Sequence, residues 1–217
     1  MKQVKWDRMS TKRIYKPKNQ SEAIKIVKIA AIAALVIVFF SFLAVIYAEH
    51  FSKTANCLRN VADDAVLKIA ANGGYLTVED AANYNSYTVP LYMKQGVESM
   101  PSMEQVESAM LEYAKVNSQC EGEIRIRVTE DEVQFGKFFG HAGVNVNFPE
   151  YYGKAKALFD SQKSADAISL AELARMAKQG DYVLHINANN DTILYFMTFT
   201  KEQVNCVPLV YSFGIRR

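Results

Sequence analysis

No charged side chain, proline or glycine falls between Ile29 and Ala48. A helix buried in a soluble domain rarely runs twenty residues without a charge, so that absence argues against an interior helix. A cleaved signal peptide is disfavoured too. Such a peptide has a shorter apolar core and ends in a small-x-small site, whereas Ile46-Tyr47-Ala48 and Ala44-Val45-Ile46 place bulky residues there. No Cys-x-x-C occurs among the three cysteines, which removes zinc ribbons and dithiol redox chemistry. The three histidines, His50, His141 and His185, are never spaced as paired ligands on a helix. No Gly-x-Ser-x-Gly elbow, Ser-x-x-Lys or calcium loop is present, and the glycines at 136, 140 and 143 lack the Gly-Lys-Ser/Thr ending of a phosphate loop. The expectation is a protein without catalytic residues, metal or cofactor, and not an enzyme. Nothing in the composition suggests a nucleic-acid partner.

What is present divides around the apolar run. Twenty residues of helix cover about 30 Å, the thickness of a bilayer's hydrocarbon core, and only a helix satisfies a lone segment's backbone in lipid. Residues 1–28 carry nine lysines and arginines against Asp7 and Glu22, a net of +7. The remaining sixteen basic and twenty-one acidic residues leave −5. Short basic flanks stay on the cytoplasmic side. The expected layout is therefore a basic cytoplasmic arm over 1–28, a transmembrane helix over 29–48, a juxtamembrane amphipathic helix over 49–72 and an extracytoplasmic head over 75–217. Trp6 and Tyr15 in the arm are suited to the headgroup layer. Membrane lipid and other envelope membrane proteins, or copies of this chain, are the expected partners.

Ser21-Glu22 supplies an N-terminal helix signal, and no glycine or proline follows until Gly73-Gly74. The spacing predicts one helix from about Ser21 to Asn72. Beyond the apolar run, Phe51, Ala55, Leu58, Ala62, Ala65 and Ile69 recur in steps of four and three, with Lys53, Asn56, Asn60, Asp63, Asp64 and Lys68 on other faces. This narrow seam is a candidate interface. Its partner is either the protein's own head or a neighbouring chain.

The head reads as α+β. Thr77-Val78-Glu79-Asp80 suggests a short helix to about Tyr84, and Thr88–Met93 an edge strand limited by Pro90. Ser102 and Gln105 frame a capping box for a helix over Met103–Asn117, in which Met103 and Met110 either fill the core or, with Met100, line a groove. Ile124, Ile126 and Val128 alternate with Arg125 and Arg127 in a strand; the arginines form a solvated face or grip an anion. Glu132–Phe148 suggests a hairpin around the glycines. Its Phe138-Phe139 pair either enters the core or forms an exposed contact that could dip towards lipid. Helices are expected over Pro149–Ser161 and after Ser169, the latter ending at Gln179-Gly180. Strands at Tyr182–Asn187, Thr192–Thr200 and Val204–Phe213 suggest a C-terminal antiparallel meander, with a turn at Asn189-Asn190-Asp191. Cys120 and Cys206 could form a disulfide outside the cell or remain as two thiols, and Cys57 is either a packed thiol or a cross-link between chains.

The basic arm, the uncut apolar helix, its polar continuation ending in NGGYLTVED and the small α+β head together resemble pseudopilins, in particular minor pseudopilins of tight-adherence secretion systems. The likeness covers roughly residues 21–81. Pilins share a glycine cleavage site and a glutamate at the fifth position after it; Lys18-Asn19-Gln20-Ser21-Glu22 provides the glutamate without the glycine. The resemblance implies a structural or assembly role in a secretion or pilus-like apparatus. A membrane-tethered ligand-binding or sensor module is the alternative.

Overall fold

The structure is a computed structural model that describes residues 20–120, 122–138, 140–165, 169–189 and 191–217. The basic arm up to residue 19, Phe139 and the middle of the Asn189–Asp191 turn lie outside the described residues, as do the side chains of Ser21 and Glu22. Helix α1 spans Gln20–Ala71, as the cap and the paired glycines predicted. Contacts divide the chain into Met1–Ile46 and Tyr47–Arg217. In the first unit every described side chain from Lys25 onward is exposed. These include Phe39, Phe40 and Phe42, each about 60% accessible. The helix is long and apolar enough to cross a membrane.

The second unit begins at Tyr47 rather than at residue 75, because the later turns of α1 are part of its core. Its main sheet has the order β1-β2-β9-β8-β7: Ala81–Tyr84, Tyr87–Lys94, Val207–Arg216, Thr192–Val204 and Val183–Asn189, with the short β3 (Val97–Glu98) also on β2. The C-terminal meander is present, β7 against β8 against β9, all antiparallel. It is extended by a parallel pairing of β2 with β9, which aligns Leu91 with Gly214. Strand β2 is thus internal, not an edge. Pro90 is tolerated because the ladder to β9 starts only at Leu91, so its missing N–H falls where no β9 partner stands. The short helix expected after Thr77 is absent; β1 pairs with β2 through the Asn85-Ser86 turn instead, and tertiary pairing overrides the local acidic cap signal.

A second sheet contains β4 (Arg125–Val128), β5 (Val133–Lys137) and β6 (Gly140–Val144), antiparallel throughout. Helices α2 (Met103–Asn117), α3 (Phe148–Gln162) and α4 (Leu170–Gln179) start on side-chain caps from Ser102, Asn147 and Ser169. The Ser102–Gln105 box is reciprocal, as the sequence implied.

Strand periodicity sorts the core. Ile193, Tyr195, Met197 and Phe199 of β8, with Leu209, Tyr211, Phe213 and Ile215 of β9, face the helices. Leu194 and Phe196, with Val89 and Leu91 of β2, make a smaller cluster on the opposite face. At the centre, Phe213 stacks between Tyr92 at 4.9 Å and Tyr195 at 5.0 Å, and Phe159 meets Tyr92 edge-on at 5.5 Å. Offset and edge geometries of this kind add to area burial.

Helix α1 ends where it docks on this centre. Gly74 N–H donates to the Ile69 carbonyl at 2.7 Å, closing the last turn, and the Tyr92 hydroxyl donates to the Gly73 carbonyl at 2.6 Å. Gly73 has φ +59°, and a Cβ there would lie 2.4 Å from the Ser212 carbonyl oxygen. Gly73→Ala therefore combines a left-handed backbone penalty with overpacking against main chain. We expect a loss of about 3 kcal/mol, read as a thermal midpoint lowered by roughly 6–12 °C in detergent. An unchanged midpoint would contradict this packing.

Candidate functional site

The seam is the first candidate, and the structure places it inside the protein. Leu58, Ala62, Ala65 and Ile69 are buried to 1% exposure or less, in a core cluster with residues of α2, α3 and the main sheet. They are joined by Val61, Val66 and Ala70, so the buried stripe is broader than the sequence spacing suggested. Only Phe51 and Ala55 keep appreciable exposure. The interface reading of the seam is corrected accordingly: these side chains already have a partner, the head itself. The alanines let α1 approach closely, as a seam of small residues allows.

The cysteines are also redistributed. Cys57 of α1 and Cys120 form a disulfide with a Cα–Cα distance of 6.0 Å, and Cys206 is an exposed free thiol. The Cys120–Cys206 pairing is thereby excluded. Cys120 follows the end of α2, which lies alongside α1 near Asn56 and Asn60. Cys206 occupies a tight turn with Asn205 between β8 and β9, both at positive φ. This is a two-residue hairpin turn of the I′ kind, reached because β8 runs to Val204 instead of ending near Thr200. The 63-residue separation of the bonded pair predicts a large stabilisation of the oxidised form. Cys120→Ser should cost about 4 kcal/mol on a chain-entropy basis, with a matching fall in the thermal midpoint, while Cys206→Ser should leave it unchanged. Equal midpoints for Cys120→Ser and the parent chain would contradict the pairing.

Other singled-out residues stay apart. His50, His141 and His185 lie on α1, β6 and β7 and are exposed. Among the described residues no group of three or more His, Cys, Asp or Glu could hold a metal ion. Asp63 is half-buried, and burial raises its carboxyl pKa despite the opposing pull of Arg59. Arg125 and Arg127 are exposed, with Arg125 3.7 Å from Glu123, which fits the solvated face. Met110 is fully buried, whereas Met100 and Met103 are partly covered against the same core. This favours core filling.

One concavity was not legible beforehand. A groove of about 370 Å³ lies on the sheet face away from the main core. It is lined by Tyr84, Tyr87, His185, Phe196, Pro208 and Val210, with Leu67 and Ala71 of α1 at its side. Phe196 stands within ring-contact distance of Tyr84 (5.5 Å), Tyr87 (6.1 Å) and His185 (5.9 Å). These positions are about a hundred residues apart, and the parallel pairing of β2 with β9 brings them together. The lining, which also includes Thr198 and Ser212, suits a flat apolar ligand with a few polar points.

In comparisons with models of known families, with curated proteins and with solved structures, the chain has no match.

Proposed function

We propose that this chain is a single-pass membrane protein with an extracytoplasmic α+β head. Within that class, it is a non-catalytic structural or assembly subunit of a cell-envelope secretion or pilus-like apparatus. The observation that carries the reading is the exposure of every described side chain from Lys25 to Lys53, in a helix whose middle is wholly uncharged. Such a surface is costly in water and suited to lipid. The basic residues before it put the N-terminus in the cytoplasm. The Cys57–Cys120 bond supports the same orientation independently, since disulfides persist outside the reducing cytosol.

Cys206 offers a direct test, being free and exposed. A membrane-impermeant maleimide should label it in intact cells expressing the full chain. Labelling only after lysis would overturn the orientation. The assembly role is tested by photo-cross-linkers placed along residues 29–48: adducts to copies of the chain or to other envelope membrane proteins are expected in native membranes. An uncross-linked monomer there would sink that role. The groove beside Phe196 favours a second reading, a tethered ligand-binding module, and a monomer whose Tyr84 and Phe196 shield a bound apolar molecule would be its signature.

A further inference from the structure

We propose that the free edge of β7 (Val183–Asn189) is a self-association surface, on which a second copy of this chain adds its own β7, antiparallel, about a two-fold axis through Ile186. The inference goes beyond the reading above and stands on the second unit alone.

Strand β7 is last in the order β1-β2-β9-β8-β7, so one of its sides has no strand beside it. Its ladder to β8 runs without a bulge from Val183 to Asn189. Only two residues separate the paired Asn189 and Thr192. That closing pair therefore exchanges both backbone hydrogen bonds, and so do the alternate pairs at 187, 185 and 183. The N–H and C=O groups of Leu184, Ile186 and Ala188 then point away from β8. Helix α4 meets this edge at its start, where the Tyr182 N–H donates to the Ala177 carbonyl at 3.2 Å. Among the described residues, nothing in the chain bonds to the outward groups of Leu184, Ile186 and Ala188.

An open edge of this kind invites pairing with another chain, and folds usually blunt it with charge, proline, a bulge or brevity. The other edges here are blunted. β1 has four residues and β3 two. β4 carries Arg125 and Arg127. The start of β6 lies against α1, where a Cβ on Gly140 would come 3.1 Å from the Phe51 carbonyl oxygen. β7 is seven residues long and has no acidic residue, lysine, arginine, proline or bulge.

Charge and symmetry name the occupant. Centred on Ile186, β7 opposes its own copy so that Leu184 faces the second copy's Ala188 and Ile186 faces the second copy's Ile186. Every outward N–H on one strand then meets a C=O on the other. Leu184 and Ile186 are half-buried against the main core, and the pairing extends that apolar layer from one sheet to the next. On the opposite face His185 meets Asn187, so no like charges oppose each other along the strand. Asp181, just before it, is paired with Lys201 at 2.7 Å.

The test uses the full chain in detergent, in a Cys206→Ser background that keeps the Cys57–Cys120 bond. Sedimentation should show a monomer–dimer equilibrium. Ala188→Pro removes one outward N–H from each copy, and Ala188→Lys charges the edge at an exposed position. Each should weaken association by at least about tenfold. Val116→Lys, at a 74% exposed site on α2, should leave it unchanged. If the proline variant fails to fold, the lysine variant decides. Position 185 of one copy opposes position 187 of the other at a Cα separation of about 4.5 Å, within disulfide reach. Chains with His185→Cys should therefore cross-link to chains with Asn187→Cys, and neither to itself. A chain that stays monomeric overturns the inference, as does a dimer that the folded Ala188 variants leave intact. Equal cross-linking of either cysteine variant with itself marks another register and overturns the axis through Ile186. Cross-links from these positions only to a different protein in native membranes show a foreign strand on the edge and overturn it too. All of these outcomes leave the anchored reading standing.

Discussion

Ile69→Asp should abolish the folded head. Ile69 is completely buried among α1, α2 and the main sheet. The substitution removes the transfer free energy of a large aliphatic side chain and buries a carboxylate in an apolar cluster. Losses above about 5 kcal/mol follow from these two terms together, a large part of a typical domain's stability. The readout is loss of near-ultraviolet circular dichroism and rapid proteolysis of the region beyond Tyr47. Leu58→Asp should behave alike, whereas Asn60→Asp, on the exposed face, should change stability by no more than about 0.5 kcal/mol. A head that stays folded while losing contact with another membrane protein would return the seam to the role its spacing first suggested.

Alkaline pH should unfold the head with an unusually steep dependence. Burial pushes the Tyr92 and Tyr211 hydroxyls well above the usual phenol range, and raises Tyr195 to about 12. The protonated form of each is favoured in the folded state, so the folded chain holds protons that the unfolded chain releases. The associated stability is fully present below the unfolded phenol pKa of about 10 and declines as pH rises from there towards the folded values. Tyr92 and Tyr211 alone should remove about 2.7 kcal/mol per pH unit in that window. Their hydroxyls are hydrogen-bonded to each other at 3.0 Å, and Tyr92 also holds the Gly73 carbonyl. Ionising either one breaks the closure of α1 onto the sheet. Urea midpoints at pH 8, 10 and 11 measure the effect. Tyr211→Phe should flatten the slope by about 1.4 kcal/mol per unit while lowering the starting stability by about 1 kcal/mol. A slope unaffected by that substitution would refute the assignment.

Local signals proved dependable where the element made its own arrangements. The Ser102–Gln105 box marks the start of α2, Gly73-Gly74 stops α1, and the alternation of Ile124, Ile126 and Val128 marks β4. They misled where a distant strand intervened. Thr77-Val78-Glu79-Asp80 carries helix chemistry, yet the following residues pair with β2, itself held by β9 more than a hundred positions away. The Asn205-Cys206 turn has little local signal because cysteine is an uncommon occupant of positive-φ turns. The groove had no local trace at all: Tyr84, His185 and Phe196 acquire a shared surface only through sheet order.

The chain's own order of residues was sufficient for the long helix, its uncharged stretch, the charge imbalance around it and the α+β character beyond. Each of these depends on composition or on periods of two and 3.6 residues, which neighbours in the chain express by themselves. Tertiary structure decided what the seam touches and which cysteine Cys120 meets. Those outcomes depend on pairing segments far apart along the chain, and many pairings satisfy the same local pattern equally well.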